Sequence, residues 1–160
     1  MLLGVLSNSA GRSEVVAAAV NLFVAEGAQM VMHCGDVGGR HVLDPLAALD
    51  GGFVWGDRDT GRMGLMRYGH GIGVRCFGIV ADFEMQGKRI VAVHGDDKKL
   101  VRRLLDEQQY DYLLLGHEMA LEDRMVGKTR VLNPGPLHGG TTASAILLEV
   151  ESGVIRIVTP

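Results

Sequence analysis

Five short polar clusters carry most of the side chains here that could do chemistry. They are "SNSAG" with Asn8, "HCGDVGG" with Asp36, "WGDRDTG" with Asp57, "HGDDK" with His94 and "GHEMA" with His117. Carboxylates and imidazoles are the side chains that ligate divalent cations and move protons near neutral pH. Each cluster alone has an ordinary explanation. A Gly-Asp pair is most often a turn, and a lone histidine after a strand is most often packed or solvated. All five, however, directly follow an apolar run that reads as a strand. Ligands of α/β sheets gather at the carboxyl ends of strands, so this placement brings Asn8, Asp36, Asp57, His94 and His117 toward one rim.

The elements that must position them follow from the apolar pattern. Residues 2–7, 29–33 and 52–55 read as buried strands. Between them, Ser13 is the expected cap of a helix over 14–26 that stops at Gly27, and residues 40–49 suggest a shorter helix interrupted by Pro45. Strand–helix–strand–helix–strand implies parallel strands with crossover connections. The second half differs. Residues 78–95 read as a hairpin around "QGKR", with further hairpins about Gly127-Lys128 and Ser152-Gly153. Residues 97–109 form an amphipathic helical pattern, with Leu100, Val101, Leu104 and Leu105 on one stripe, and 112–116 is another buried strand. Parallel units followed by hairpins suggest two face-packed sheets with helices outside.

Composition narrows the classes. A chain of 160 residues, 47% apolar, suits one domain over 1–160 with a substantial core. A net charge of −3 gives no reason to expect general nucleic-acid affinity. Cys34 and Cys76 are far apart and read as reduced thiols of a cytoplasmic protein. "MLLGVLS" lacks the features of a signal peptide, and the most apolar run, "VVAAAVNLFVA", is too short to span a bilayer, so no membrane association is expected.

Taken in order, "SNSAG … GDVG … GDRD … HGD … GHEM … NPGP" resembles the calcineurin-like metallophosphoesterases, in their small bacterial and archaeal phosphodiesterase branch. That family reads D-x-H, G-D, G-N-x-D, H-G-H, G-H-x-H and N-P-G-S. The resemblance implies an α/β fold, an αββα sandwich of two packed mixed sheets flanked by helices, with a two-metal site at the strand ends. It also implies a phosphodiester or a phosphorylated small molecule as the partner of that site. One family metal takes the D-x-H pair, the G-D aspartate and the last histidine of G-H-x-H. Here these are Asn8, Ala10, Asp36 and Met119, of which only Asp36 is a good ligand. Asn8 retains a neutral oxygen, and the Met119 thioether is too soft for Mn²⁺ or Mg²⁺.

The other family metal maps onto Asp36, Asp57, His94 and His117, all able to bind. Asp57 replaces the family's asparagine, and two carboxylates balance one divalent charge. The resemblance thus implies a single ion (Zn, Mn or Fe) with the second site lost, and a metal-dependent phosphoesterase of weak activity. Arg58 stands where many relatives carry a histidine acid. A guanidinium cannot supply a proton at neutral pH but can grip a phosphate. Asp96 replaces the last histidine of H-G-H, Pro136 replaces the serine of N-P-G-S, and His138 reads as a loop residue. An inactive relative serving as a protein-binding scaffold, as the retromer subunit of this fold does, or as a binder of a phosphorylated ligand, is the competing expectation. It leaves a protein partner or self-association open.

Overall fold

The computed structural model describes residues 1–138 and 142–160. The elements run β1 (Leu2–Leu6), α1 (Ser13–Ala25), β2 (Met30–His33), a 3-10 turn (Arg40–Val42), α2 (Leu43–Leu46), β3 (Asp50–Phe53), α3 (Arg62–Gly71), β4 (Arg75–Cys76), β5 (Val80–Met85), β6 (Lys88–Val93), α4 (Lys98–Asp106), β7 (Tyr112–Leu114), β8 (Leu121–Val126), β9 (Thr129–Pro134), β10 (Ala145–Glu149) and β11 (Ile155–Val158). They form two mixed sheets with strand orders β11-β10-β1-β2-β3-β4 and β5-β6-β7-β9-β8. β1 to β4 are parallel, and β10 and β11 extend that sheet antiparallel. In the second sheet β6, β7 and β9 are parallel, while β5 and β8 close its two edges as hairpin partners.

Alternation along the strands separates the layers. Leu3 and Val5 of β1 face the second sheet and pack with Ile90, Ala92, Leu114, Ile146 and Leu148 in the inter-sheet core. Leu6 faces the other way, into the layer of α1 and α2 with Val16, Phe23 and Leu43. Gly4 shares that outer face because α1 lies directly on it: a Cβ there would stand 2.3 Å from the Phe23 ring. α4 covers the second sheet through Leu104, packed with Val91, Val93 and Leu113. The result is the αββα sandwich implied by the resemblance.

Several local expectations need correction. Ser13 is the first residue of α1 rather than its cap; the capping position is Arg12, whose side chain makes no capping bond. The helix expected over 40–49 is only a 3-10 turn followed by the four residues of α2; in a continuous helix Pro45 would be interior, with no amide for the His41 carbonyl and its ring against it. The strand expected at 52–55 runs over Asp50–Phe53, two residues earlier. α4 begins as its sequence suggests, with the Asp97 carboxylate accepting from the amides of Lys99 and Leu100. α3 and β4 have no counterpart among the sequence expectations.

Candidate metal centre

The loops after β1, β2 and β3 and those after β6 and β7 meet at one end of the sandwich. Backbone bonds continue the strand ladders into these loops. The Asn8 amide donates to the Gly35 carbonyl, the Ala10 amide to the Asp36 carbonyl, and the Gly116 amide to the His94 carbonyl. The chain turns sharply here. Asn8, Ala10, Asp36 and His117 all hold positive φ, between 45° and 59°. Each costs about 1 kcal/mol or more for a residue with a Cβ, so the surroundings must impose the conformation.

Three ligand atoms converge at this rim: a carboxylate oxygen of Asp57 and ring nitrogens of His94 and His117 all lie within 4.8 Å of one another. Asp57 Oδ1 is 3.0 Å from His94 Nε2 and 3.4 Å from His117 Nδ1. Donors about 2.0–2.2 Å from a tetrahedral ion stand roughly 3.3–3.6 Å apart; the 3.4 Å pair falls within that range and the 3.0 Å pair just below it, so the cluster needs only a small outward shift to surround one ion. Asp36 adjoins the group through His94, with Oδ1 3.5 Å from His94 Nε2. His94 and Asp36 form a buried floor, whereas the side chains of Asp57 and His117 are 43% and 34% exposed and leave an open lip.

Supporting contacts orient the donors. The ring Nδ1 of His94 lies 2.7 Å from the Cys34 carbonyl oxygen, which can only accept. His94 therefore donates from Nδ1, which leaves Nε2 as the ring atom that faces Asp57 and is free to ligate a cation. Burial opposes ionisation of Asp57, but a bond from its own amide and the nearby imidazoles of His94 and His117 outweigh it, holding its carboxyl below the usual carboxylate range. Asn133 of the N-P-G-P stretch fixes the loop of His117 by donating to the carbonyls of Gly116 and Glu118. Asp59 has the largest such role. Its carboxylate accepts from the amides of Gly56 at 2.8 Å, Asp36 at 3.0 Å and Gly38 at 3.1 Å. It thereby clamps the loop after β2 onto the loop after β3.

Asn8 presents a further oxygen. Its Nδ2 points to the His117 carbonyl at 3.5 Å and to the Met119 sulfur at 3.4 Å, while Oδ1 is buried with no hydrogen-bond partner among the described residues. An orphaned buried carbonyl oxygen is costly unless something positive meets it. Met119 is 48% exposed. A small cavity of about 160 Å³ is lined by Ala10, Asp36, Gly38, Arg58 and Asp59. Arg58 lies on the lip, with Nε 4.0 Å from Asp36 Oδ2 and its side chain 73% exposed.

The other flagged residues fall outside the cluster. Asp96 is exposed, and His138 is partly buried and not among the clustered donors. The two glycines that follow His138 in "NPGPLHGG" lie outside the described residues. His33 is fully buried, with a ring nitrogen 2.8 Å from the Ser9 hydroxyl, and burial together with the proximity of His94 pushes its pKa down to about 3. Burial also raises the Cys34 thiol well above its ordinary value, so it is an inert core group whose contribution is its carbonyl. No helix among the described residues is long and apolar enough to cross a membrane.

The calcineurin-like phosphoesterase superfamily domain matches residues 1–153. A phosphodiesterase of Methanocaldococcus jannaschii is 24% identical over 147 residues, spanning 89% of this chain and 87% of that protein. Among solved structures, a novel archaeal phosphodiesterase superposes with a TM-score of 0.87 at 21% identity, over 100% of both chains. A Vps29 of Entamoeba histolytica, complexed with Zn²⁺, gives a TM-score of 0.66 over 100% of this chain and 98% of that one, at 19% identity. At such identities the structural likeness speaks for the fold alone. The match of the superfamily domain across nearly the whole sequence, on a sandwich whose strand ends gather Asp57, His94 and His117, identifies this chain as a member of the calcineurin-like phosphoesterase superfamily.

Proposed function

We propose that the chain, as a single domain, is a metal-dependent phosphoesterase with a reduced site: one divalent ion, held by Asp57, His94 and His117 with Asp36 beside them. The observation that carries this is the convergence of those three donor atoms within 4.8 Å. Asn8 Oδ1, buried and without a hydrogen-bond partner among the described residues, is a further neutral oxygen available to a cation at the rim. Two imidazoles with carboxylates suit Zn²⁺, Mn²⁺ or Fe²⁺. A divalent ion at such a position supplies Lewis acidity toward a phosphoryl oxygen and makes water a better nucleophile.

The residues set the rest of the chemistry. His94 offers Nε2 because Nδ1 is committed to the Cys34 carbonyl. Asp57 stays ionised, so it holds negative charge toward the cation rather than donating a proton. Arg58 reaches over the lip with a permanently charged fork, suited to a phosphate bearing two free oxygens or a phosphodiester bearing one. It supplies no proton to a leaving group, and the counterpart of the second metal site is Asn8, Ala10 and Met119. The proposed activity is therefore slow. Leaving groups that depart without protonation should be favoured.

The test is a calorimetric titration with Mn²⁺ and Zn²⁺, paired with hydrolysis of bis-p-nitrophenyl phosphate. One ion per chain and slow turnover abolished by His117→Ala are expected. Two equivalent tight ions, no ion at all, or turnover indifferent to His117→Ala would each overturn the proposal.

A further inference from the structure

Beside the rim lies a larger cleft of about 720 Å³ whose lining includes Arg40, Arg58, Thr60, Arg67 and Tyr68. Its three charged side chains are all arginines, in a chain whose net charge is −3. They come from three separate pieces of structure: the 3-10 turn, the loop after β3, and α3. Among the described residues Arg40 and Arg67 take part in no ion pair, and Arg58 reaches only Asp36, at 4.0 Å. The Arg40 guanidinium lies over the Tyr68 ring, 5.9 Å from its centroid, a long cation–π contact that still positions it at the cleft. Gly61 and Gly64 line the same cleft, and a Cβ on either would meet nothing within 4 Å, so the wall is low and open.

Three guanidinium groups gathered at one cleft, of which only Arg58 has a carboxylate within 4.0 Å, raise the local positive potential and favour an anion in the space. The position tells what that anion is attached to. Arg58 and Gly38 line both this cleft and the small cavity against Asp36. Asp36, which lines that small cavity, lies 3.5 Å from His94 Nε2, so a molecule whose reacting phosphorus lies at the metal centre has a path past Arg58 into the cleft. We infer that the cleft formed by Arg40, Arg58 and Arg67 is the subsite for a second phosphate, so that the substrate class is a small phosphoester carrying at least two phosphate groups. This rests on the phosphoesterase function proposed above. Arg58 then touches both ends of the substrate, and Arg40 and Arg67 grip the phosphate that does not react.

The experiment separates the two proposals. Inorganic tripolyphosphate is titrated into the metal-free protein in EDTA, where neither the ion nor turnover plays a part. Wild type is compared with Arg40→Gln/Arg67→Gln, with sulfate at matched ionic strength as the competitor. Charge-assisted paired bonds are among the stronger polar contacts, so a loss of tenfold or more is expected for the double variant. Arg40→Lys/Arg67→Lys, which keeps the charge but not the fork, should fall between. With Mn²⁺ added, kcat/KM should drop further for the p-nitrophenyl ester of a nucleoside diphosphate than for bis-p-nitrophenyl phosphate. Tripolyphosphate binding within twofold of wild type in the Gln variant, or full displacement by sulfate, overturns the subsite. An inactive wild type that still binds tripolyphosphate through these arginines overturns the phosphoesterase proposal and leaves the anion cleft standing.

Discussion

Asp59 is the side chain whose removal should do most to the centre without touching it. Its carboxylate receives three backbone amides, those of Asp36, Gly38 and Gly56. Two of these residues, Asp36 and Gly56, are buried, while Gly38 is exposed and can rehydrate. In Asp59→Ala two amides are left unsatisfied at about 1–2 kcal/mol each, and a third bond to a charged acceptor is lost, for a total of about 3–5 kcal/mol. At about 2–4 °C per kcal/mol for a domain of this size, melting should fall by roughly 10 °C. Asp59→Asn keeps one oxygen, enough for the amides of Asp36 and Gly56 but not for Gly38, so it should lose about 1–2 kcal/mol. Because the same carboxylate holds Asp36 at its positive φ, Mn²⁺ affinity should fall in the order wild type, Asn, Ala. Calorimetric melting and Mn²⁺ titration of the three proteins provide the comparison. An alanine variant melting within about 2 °C of wild type, or an asparagine variant as damaged as the alanine one, would refute the clamp.

Three other outcomes are expected. The change Asn8→Asp, Ala10→His, Met119→His should raise the Mn²⁺ stoichiometry by one and lower the metal-free melting temperature, since Asn8 is buried and donates to the His117 carbonyl, with added Mn²⁺ recovering part of the loss; calorimetry reads both. Gly56→Ala would place a Cβ 2.1 Å from Asp36 Oδ1, so it should displace that carboxylate and weaken both metal binding and stability, measured by the same titration and by melting. His33 keeps a pKa of about 3 in the native state, whereas in the unfolded chain it protonates near its ordinary value of 6.5. Between these limits the unfolded state binds the extra proton, so stability is full above the unfolded pKa and falls as pH drops toward 3. His33→Gln should remove up to about 2–3 kcal/mol of the difference between urea unfolding at pH 4.5 and at pH 7.

The apolar runs made the sandwich readable, because β1, β2, β6, β7 and β10 are buried and so continuously or alternately apolar. α3 was invisible for a physical reason. It contains Gly64, Gly69 and Gly71, which lower its intrinsic helicity, and it is held by packing that only the fold supplies. A Cβ on Gly69, for example, would stand 2.9 Å from the Val74 carbonyl. β4 is two residues long and exists only through its pairing with β3. At the site, the placement of Asp57, His94 and His117 was legible because each follows a strand. The role of Asp59 was not, since its partners are backbone amides that leave no side-chain signature. Nor was the arginine cleft, whose three members come from three elements with no shared spacing.

The donors at the rim do not belong to one sheet. Asp36 and Asp57 follow strands of the first sheet, and His94 and His117 follow strands of the second. An ion shared among them would act as a staple across the mouth of the sandwich, closing a loop of 37 residues between Asp57 and His94. Such a cross-link restricts the separation of the two layers at the end where a substrate must enter, as a disulfide restricts the chain it joins. Loading the proposed centre would therefore limit how far the two halves of the sandwich can part at that mouth. Its removal should be felt in the amide exchange of β3 and β7, deep beneath the loops that hold it.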